Sequence, residues 1–398
     1  MTGEAGMSCR LKTGWRRVKF GDVVLQVKNK VDPETSGLHR YIAGEHMDTD
    51  DLKLRRWGEI GTDYLGPAFH MRFKPGQVLY GSRRTYLRKV AVADFKGVTA
   101  NTTFVLEPKD PNVLLPELLP FLMQTERFHD HSIKQSRGSV NPYVNFSDLA
   151  WYEFALPPLE EQRQMAKLLR AYSNLSFEMD GFEASLDTLV EAAVLDLLDL
   201  WHFDPLRDRS HKWPVTKVEQ VCTIASGNGE PIINSSGEAL YFKVADFNRN
   251  RDHLALQSSE SRWFPDENPT VRVFPVGTII FPKRGATIFQ GKVGLLANQA
   301  ALDPNLMALT PSRRDLLPKF LHWVVKGIGL WRLADTTSVP QLNHKHLKDI
   351  RVPMPPLERQ KSICSTLDDL VRSSSLARER SDISRRNQLS LINEVLHN

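Results

Sequence analysis

LPPLEEQ at residues 156–162 and MPPLERQ at 354–360 are one boundary written twice, with Pro157 and Pro355 standing 355 − 157 = 198 residues apart. The same spacing carries Pro158 onto Pro356, Leu159 onto Leu357 and Gln162 onto Gln360. It also carries Trp15 onto Trp213, Lys19 onto Lys217, Asn145 onto Asn343 and Leu149 onto Leu347. With small gaps, Tyr41 answers Tyr241 and FKPGQVLYGSRR answers FPVGTIIFPKR. Landmarks that recur in one order at a near-constant spacing mark an internal duplication. Whatever fold the first half adopts, the second must be able to adopt as well.

Two consecutive prolines remove backbone donors and hold φ near −65°, so they end an extended segment and can begin a helix. Leu-Glu-x-Gln continues well as helix, with acid in the first turn. Ahead of each junction, residues 14–155 and 212–353 are rich in short strand-like runs such as GQVLYGS, VAVADF, TTFVLEP, GTIIFPK and KVGLLAN, broken by turn residues. Single helices are expected at LLPELLPFLMQTERFHD and DLLPKFLHWVVKGI. Each half is thus a mixed α/β (α+β) globular domain followed by about 40 residues with no strand or turn signal. The expected division is 1–155 and 204–353 for the domains, with helices over 156–203 and 354–398. In the first helix Leu168, Tyr172, Leu175, Met179, Phe182, Leu186, Leu189 and Ala193 step by fours and threes, the seam of a coiled coil. In the second, Ile363, Leu367 and Leu370 begin a seam that Leu391 and Val395 resume after a polar stretch. Helices about 60 Å long at 1.5 Å per residue are expected to pack on each other, antiparallel, which gives the chain an internal pseudo-twofold repeat.

Composition narrows the class. The chain has 398 residues, 41% apolar and 25% charged, which is ordinary for a folded, water-soluble protein. Cys9, Cys222 and Cys364 form no CxxC pair, so neither a disulfide framework nor a zinc knuckle is signalled, and a cytoplasmic location is expected. No apolar run reaches the roughly 18 residues of a membrane span, and the start of the chain carries no hydrophobic signal region. A net charge of +5 permits a polyanionic partner without requiring one.

Motifs that resemble catalytic ones fail on inspection. NPYV at 141–144 lacks the second proline of an amino-methyltransferase motif, and the corresponding VPQL points instead to a turn entering the Asn145 segment. GATIFQGK at 285–292 has five residues between its glycines and Val after the Lys, whereas a phosphate loop needs four and then Ser or Thr. The i, i+2 pairs His129/His131 and His344/His346 do not share a helix face and read as solvated or DNA-facing histidines. No catalytic residue, metal site or cofactor is expected.

The order of variable α/β domain, Pro-Pro-Leu-x-x-Gln junction and long helix, repeated over nearly the whole chain, resembles the specificity subunit of Type I restriction-modification enzymes. The family's Ile three residues after the Gln is matched by Ile363 and replaced by Met165 in the first copy. The resemblance implies a noncatalytic subunit whose two target recognition domains each read half of a split site in double-stranded DNA. It implies helices that act as a ruler and dock two adenine methyltransferase (modification) subunits, with DNA cleavage left to separate helicase-nuclease (restriction) subunits. The junction and docking residues carried over are Pro157, Pro158, Leu159, Gln162, Pro355, Pro356, Leu357 and Gln360. The loops after the repeated Phe-x-x-Gly strand offer the DNA-contact candidates: Arg83, Arg84, Tyr86 and Lys89, with Arg137, in the first half, and Lys283, Arg284, Thr287, Gln290 and Lys292 in the second. Arg can bridge guanine O6 and N7, Gln can pair with adenine, and Lys mostly meets phosphate. The alternative is an interaction scaffold or decoy of a defence system that keeps the two-lobed shape and reads no DNA.

Overall fold

The structure is a computed structural model describing residues 11–62, 65–207, 211–250, 255–336 and 339–396; Cys9 and the first residues of the chain lie outside these. Its contacts divide the chain into two units, Met1–Glu178 with Ser381–Asn398, and Met179–Arg380. Each unit therefore holds one α/β domain with part of both long helices, which run over Leu159–Leu197 and Leu357–Val395.

In the first unit an antiparallel sheet is ordered Val24–Val27, Thr103–Pro108, Val78–Gly81, Val90–Val92. A second sheet is ordered Gly58–Glu59, Arg40–Ile42, Gly97–Ala100, Phe69–Phe73, with its middle two strands parallel. A two-stranded ribbon joins Arg16–Lys19 to Glu153–Leu156, with Arg16 opposite Leu156. The second unit repeats this strand for strand. Its sheets run Cys222–Ser226, Leu306–Pro311, Ile279–Pro282, Gly294–Leu295 and Arg262–Trp263, Ala239–Phe242, Ala300–Leu302, Val273–Phe274, and the middle two strands of the latter are again parallel. Its ribbon pairs Val215–Lys217 with Arg351–Pro353. The duplication read from the landmarks thus extends to topology and register.

The single helix expected over LLPELLPFLMQTERFHD is two, Leu119–Leu122 and Glu126–Lys134. Thr125 is the reason: its backbone is extended, and its hydroxyl accepts from Phe128 N, so it caps a new helix instead of continuing the old one. The cap sets Phe128 in the core, with ring centroids 5.2 Å from Phe20 and 5.3 Å from Tyr152. The corresponding helix of the second unit, Pro318–Ile328, is continuous and buries Phe320, Leu321, Trp323, Val324 and Val325.

The helix pair corrects the expected seam by one residue. In the first unit the first helix turns Gln162, Ala166, Leu169, Ser173 and Ser176 inward; in the second it turns Asp180, Glu183, Asp187, Val190 and Val194 inward. This line keeps the four-three step but follows the apolar one by a single position, so Leu168, Leu175, Phe182 and Leu189 remain exposed while Tyr172, Met179, Leu186 and Ala193 are half-buried at its edge. The facing line of the second helix explains the shift, because its middle is polar as well. In the first unit Ser176 Oγ lies 2.8 Å from Ser384 Oγ. In the second, Arg378 reaches Glu183 Oε1 and Asp187 Oδ2 at 3.0 Å each, and Ser374 donates to Asp187. Partner numbers fall as the first helix's numbers rise, so the packing is antiparallel. Polar groups on one line satisfy polar groups on the other, as leucines there could not, and such pairs fix register more than they add stability. Apolar anchors hold each end: Leu169 clusters with Ile392 in the first unit, and Val194 with Ile363 and Leu367 in the second.

The repeated glutamine explains the repeated boundary. Gln162 is buried; its Oε1 accepts from Leu115 N, and its Nε2 donates to Val113 O and to Pro157 O, all at 2.9 Å. Gln360 does the same with Leu317 N at 2.9 Å, Asp315 O at 2.8 Å and Pro355 O at 2.9 Å. One amide thus ties the first turn of the helix to its own Pro-Pro turn and to the segment that follows the sheet. Both glutamines face into their units, while Pro158, Pro356 and Leu357 are exposed.

Replacing Gln162 by Met keeps the volume and strands one buried N–H and two carbonyls. Each such group costs about 1–3 kcal/mol. Gln162→Met should therefore lower the stability of the first unit by about 3 kcal/mol in chemical denaturation, with Glu160→Gln in the exposed first turn staying within about 0.5 kcal/mol of the parent.

Candidate nucleic-acid interface

In the first unit the strand Val78–Gly81 ends where Ser82 closes on Thr102, its N–H and hydroxyl both reaching Thr102 O at 3.0 and 2.7 Å. A three-residue 3-10 turn, Thr85–Leu87, follows. Arg84 and Arg88 flank it with φ of +50° and +52°, a left-handed conformation that costs a non-glycine residue about 1–2 kcal/mol. The surroundings hold it there. Thr85 is buried and shares a 2.7 Å hydrogen bond with Ser136 Oγ, and Arg88 is clamped between Asp50 Oδ1 at 2.9 Å and Glu126 Oε1 at 2.7 Å. Glu126 is fixed in turn by its N–H donating to Asn393 Oδ1 at 2.8 Å, at the end of the second long helix.

The segment around NPYV lies alongside this turn. Arg84 N donates to Pro142 O at 2.6 Å and Val144 N to Ser82 O at 2.9 Å, while Tyr143 exchanges backbone hydrogen bonds with Arg137 at 2.8 and 2.9 Å. Arg83, Tyr143 and Arg137 therefore stand side by side on three short extended tiers. NPYV is the central tier and leads into the helix capped by Asn145, as the correspondence with VPQL implied.

The second unit builds the same platform. Gly285 N donates to Pro340 O and Leu342 N to Lys283 O, each at 2.8 Å, and Gln341 exchanges backbone hydrogen bonds with Asp335 at 2.9 and 3.0 Å. Its tiers carry Arg284, Gln341 and Asp335 where the first unit carries Arg83, Tyr143 and Arg137. The scaffold is shared and the side chains differ. Gln341 Nε2 donates to Asn343 Oδ1 at 2.9 Å, which orients its amide.

The candidates from the sequence divide into two groups here. Arg83, Arg84, Tyr86, Arg284 and Gln290 are exposed, and among the described residues their side chains have no hydrogen-bond or ion-pair partner. The others are engaged within their own unit. Arg137 is exposed but reaches Asp148 Oδ1 at 3.1 Å, and Lys89 donates to Gly44 O. Thr287 bonds Arg284 O at 3.2 Å inside its turn, and Lys292 donates to Asn248 Oδ1 at 2.8 Å. Lys283 donates to Ser226 Oγ at 2.9 Å, and burial, with Arg284 beside it, lowers its pKa. Tyr143 and Gln341 share the platform without having been among the candidates; the matched NPYV and VPQL were the available signal, read only as a turn.

The histidines need correction. His129 is buried beneath the turn, not solvated, because its helix packs that face on the core. Burial first, and the Arg88 cation second, hold its pKa down to about 3, so it is neutral although Asp50 Oδ1 lies 3.8 Å away. His131 bonds Asp148 O at 2.9 Å, His346 Nδ1 accepts from Asn343 N at 3.2 Å, and His344 is exposed. Among the described residues, no group of three or more His, Cys, Asp and Glu is placed to hold a metal ion.

Comparison with known proteins gives a consistent result. A family model described as the Type I restriction modification DNA specificity domain matches residues 14–180 and 210–383. The Type I restriction enzyme MjaVIII specificity subunit of Methanocaldococcus jannaschii is 22% identical over 429 aligned positions, covering 96% of this chain and 93% of its own. A solved chain from work on complex assembly and conformational transition of the type I R-M system superposes with a TM-score of 0.64 at 20% identity, covering 98% of this chain and 99% of its own. The S subunit of a Type-I restriction-modification system from M. genitalium superposes with a TM-score of 0.54 at 13% identity, covering 98% of each chain.

The neutral His129 has a consequence for acid stability. Its folded pKa lies below the unfolded value near 6.5, so its contribution is full above pH 6.5 and is lost as pH falls from there toward 3. The slope for one proton is about 1.4 kcal/mol per pH unit. Between pH 7 and pH 5 the parent should lose about 2 kcal/mol more stability in urea denaturation than His129→Met does.

Proposed function

We infer the function of this chain from its family: it belongs to the Type I restriction modification DNA specificity family, the model of which matches both halves. It is a DNA sequence-recognition subunit, and catalysis sits in other chains. The finer reading is that each unit reads one half of a bipartite duplex site, with Arg83, Arg84 and Tyr86 facing one half-site and Arg284, Gln290 and Gln341 the other. The observation that carries it is the repeated three-tier platform. A shared backbone with different side chains, Arg-Tyr-Arg in one unit and Arg-Gln-Asp in the other, suits two readers of different sequences.

The partners follow from the same reading. The first unit exposes Leu168, Leu175 and Ile383 on its helices, and the second exposes Phe182, Leu189 and Leu376. Apolar side chains at heptad spacing suit a partner helix, and one such face on each unit supports two adenine methyltransferase subunits, with helicase-nuclease subunits joining the assembly. Among the described residues no helix is long and apolar enough to cross a membrane. A cytoplasmic location is part of this proposal and rests on the DNA-reading role.

Methylome sequencing of cells expressing the chain with its modification subunit should return one split site. Exchanging residues 14–155 for those of another family member should change one half-site only; a change in both would overturn the modular reading. Arg284→Ala should relax one position of the other half-site, at about 1–3 kcal/mol if the guanidinium bridges a guanine. Equal weakening on every sequence would make it a phosphate contact instead. Leu175→Glu with Phe182→Glu should reduce co-purification of the modification subunit at least ten-fold without altering the helical circular dichroism of the free chain.

A further inference from the structure

Each unit holds one aromatic ring out of its recognition turn. Ile288 and Thr85, Phe289 and Tyr86, Gly291 and Arg88, and Lys292 and Lys89 are all 203 residues apart. The members of each pair also behave alike. Thr85 and Ile288 are buried anchors, and Arg88 and Gly291 leave the turn with φ of +52° and +61°. Lys89 and Lys292 bond back to the neighbouring segment through Nζ, on Gly44 O and Asn248 Oδ1. Tyr86 and Phe289 are the members left outside, with 52% and 49% of their surface exposed.

Solvated turns favour Gly, Asn, Asp and Ser, and an aromatic ring kept out of the core forgoes the burial that usually stabilises it. The exposure is built into the backbone. The first turn is closed by Leu87 N on Arg84 O at 2.8 Å and Arg88 N on Thr85 O at 2.9 Å, and the second by Ile288 N on Gly285 O at 3.2 Å and Gly291 N on Ile288 O at 3.1 Å. In both units the ring follows an exposed arginine, Arg84 or Arg284, that has no side-chain partner among the described residues. An exposed ring and an exposed arginine, two residues apart in the first turn and five apart in the second, match duplex DNA: the cation meets phosphate or a base edge, and the ring packs on a thymine methyl or against a base step.

We propose that Phe289 and Tyr86 are equivalent specificity-determining residues, each making an apolar contact with the base pairs of its own half-site. This rests on the DNA-reading function given above and assigns the kind of contact within it. An apolar base contact carries no counterion, so its loss leaves the salt dependence of binding unchanged, whereas loss of a phosphate contact lowers the slope of log K against log salt by about one.

The test uses the complex of the full chain with its modification subunit and two duplexes, one bearing the methylated site and one unrelated, titrated across a series of salt concentrations. Phe289→Ala should weaken binding to the site roughly ten-fold, with an unchanged salt slope and unchanged binding to the unrelated duplex. Phe289→Leu should retain most of the affinity, and methylomes should show Phe289→Ala relaxing one half-site and Tyr86→Ala the other. Because Phe289 is half exposed, these variants should unfold at the parental temperature. Parental affinity and site for Phe289→Ala would overturn the proposal, as would equal weakening on both duplexes or a reduced slope. A parent complex that does not distinguish the duplexes would overturn the DNA-reading function itself.

Discussion

The most consequential interaction in this molecule is a primary amide with three of its hydrogen-bonding sites filled. Gln162 and Gln360 each bind two backbone carbonyls and one backbone N–H, all in the first turn of a 39-residue helix or the segments it must meet. A helix that long has no fixed rotation relative to a sheet domain unless something sets it at one end. The glutamine sets it, and the inward line of the helix starts from that residue. Within the first unit, the direction of Ser176 is thereby tied to Gln162, several turns away on the same helix.

That dependence explains which parts were legible in the sequence. The duplication, the strand runs and the helix starts were readable because prolines, glycines and alternating apolar residues act locally. The helix seam was readable only in part: Tyr172, Met179, Leu186 and Ala193 are half-buried, and Leu168, Leu175, Phe182 and Leu189 are exposed. The apolar line Leu168, Leu175, Phe182, Leu189 is the better coiled-coil stripe by composition, and the line used contains Ser173, Ser176, Asp180, Glu183 and Asp187. A seam is a property of two surfaces, and Ser374, Arg378 and Ser384 on the other helix favour hydroxyl and carboxylate neighbours. Hydropathy of one strip of chain carries no account of what it faces. The division of the first domain's helix at Thr125 was missed for a related reason, since the capping hydroxyl outweighs a run of good helix residues.

The candidate surface was partly visible. Arginines after a repeated strand led to the two turns of the platform, but residue type did not separate Arg83, Arg84 and Arg284, whose side chains have no partner among the described residues, from Lys89, Lys283 and Lys292, which are engaged in internal hydrogen bonds. Nor did it place Tyr143 and Gln341, which reach the platform from nearly 60 residues further along. Long-range pairing of short extended segments leaves almost no periodic trace. Arg88, in the midst of the candidates, is structural: two carboxylates claim its guanidinium.

The ribbon that closes each domain sets Arg16 opposite Leu156 in one unit and Val215 opposite Pro353 in the other. Chain entry and chain exit are therefore neighbours, and everything between them forms a closed excursion from the helix framework. Two crossovers in the gene, at the codons for this ribbon, would move the whole domain and its three-tier platform as one cassette. The glutamine that receives the cassette bonds only peptide groups, so it accepts any insert whose backbone arrives in the same place, whatever side chains that insert carries.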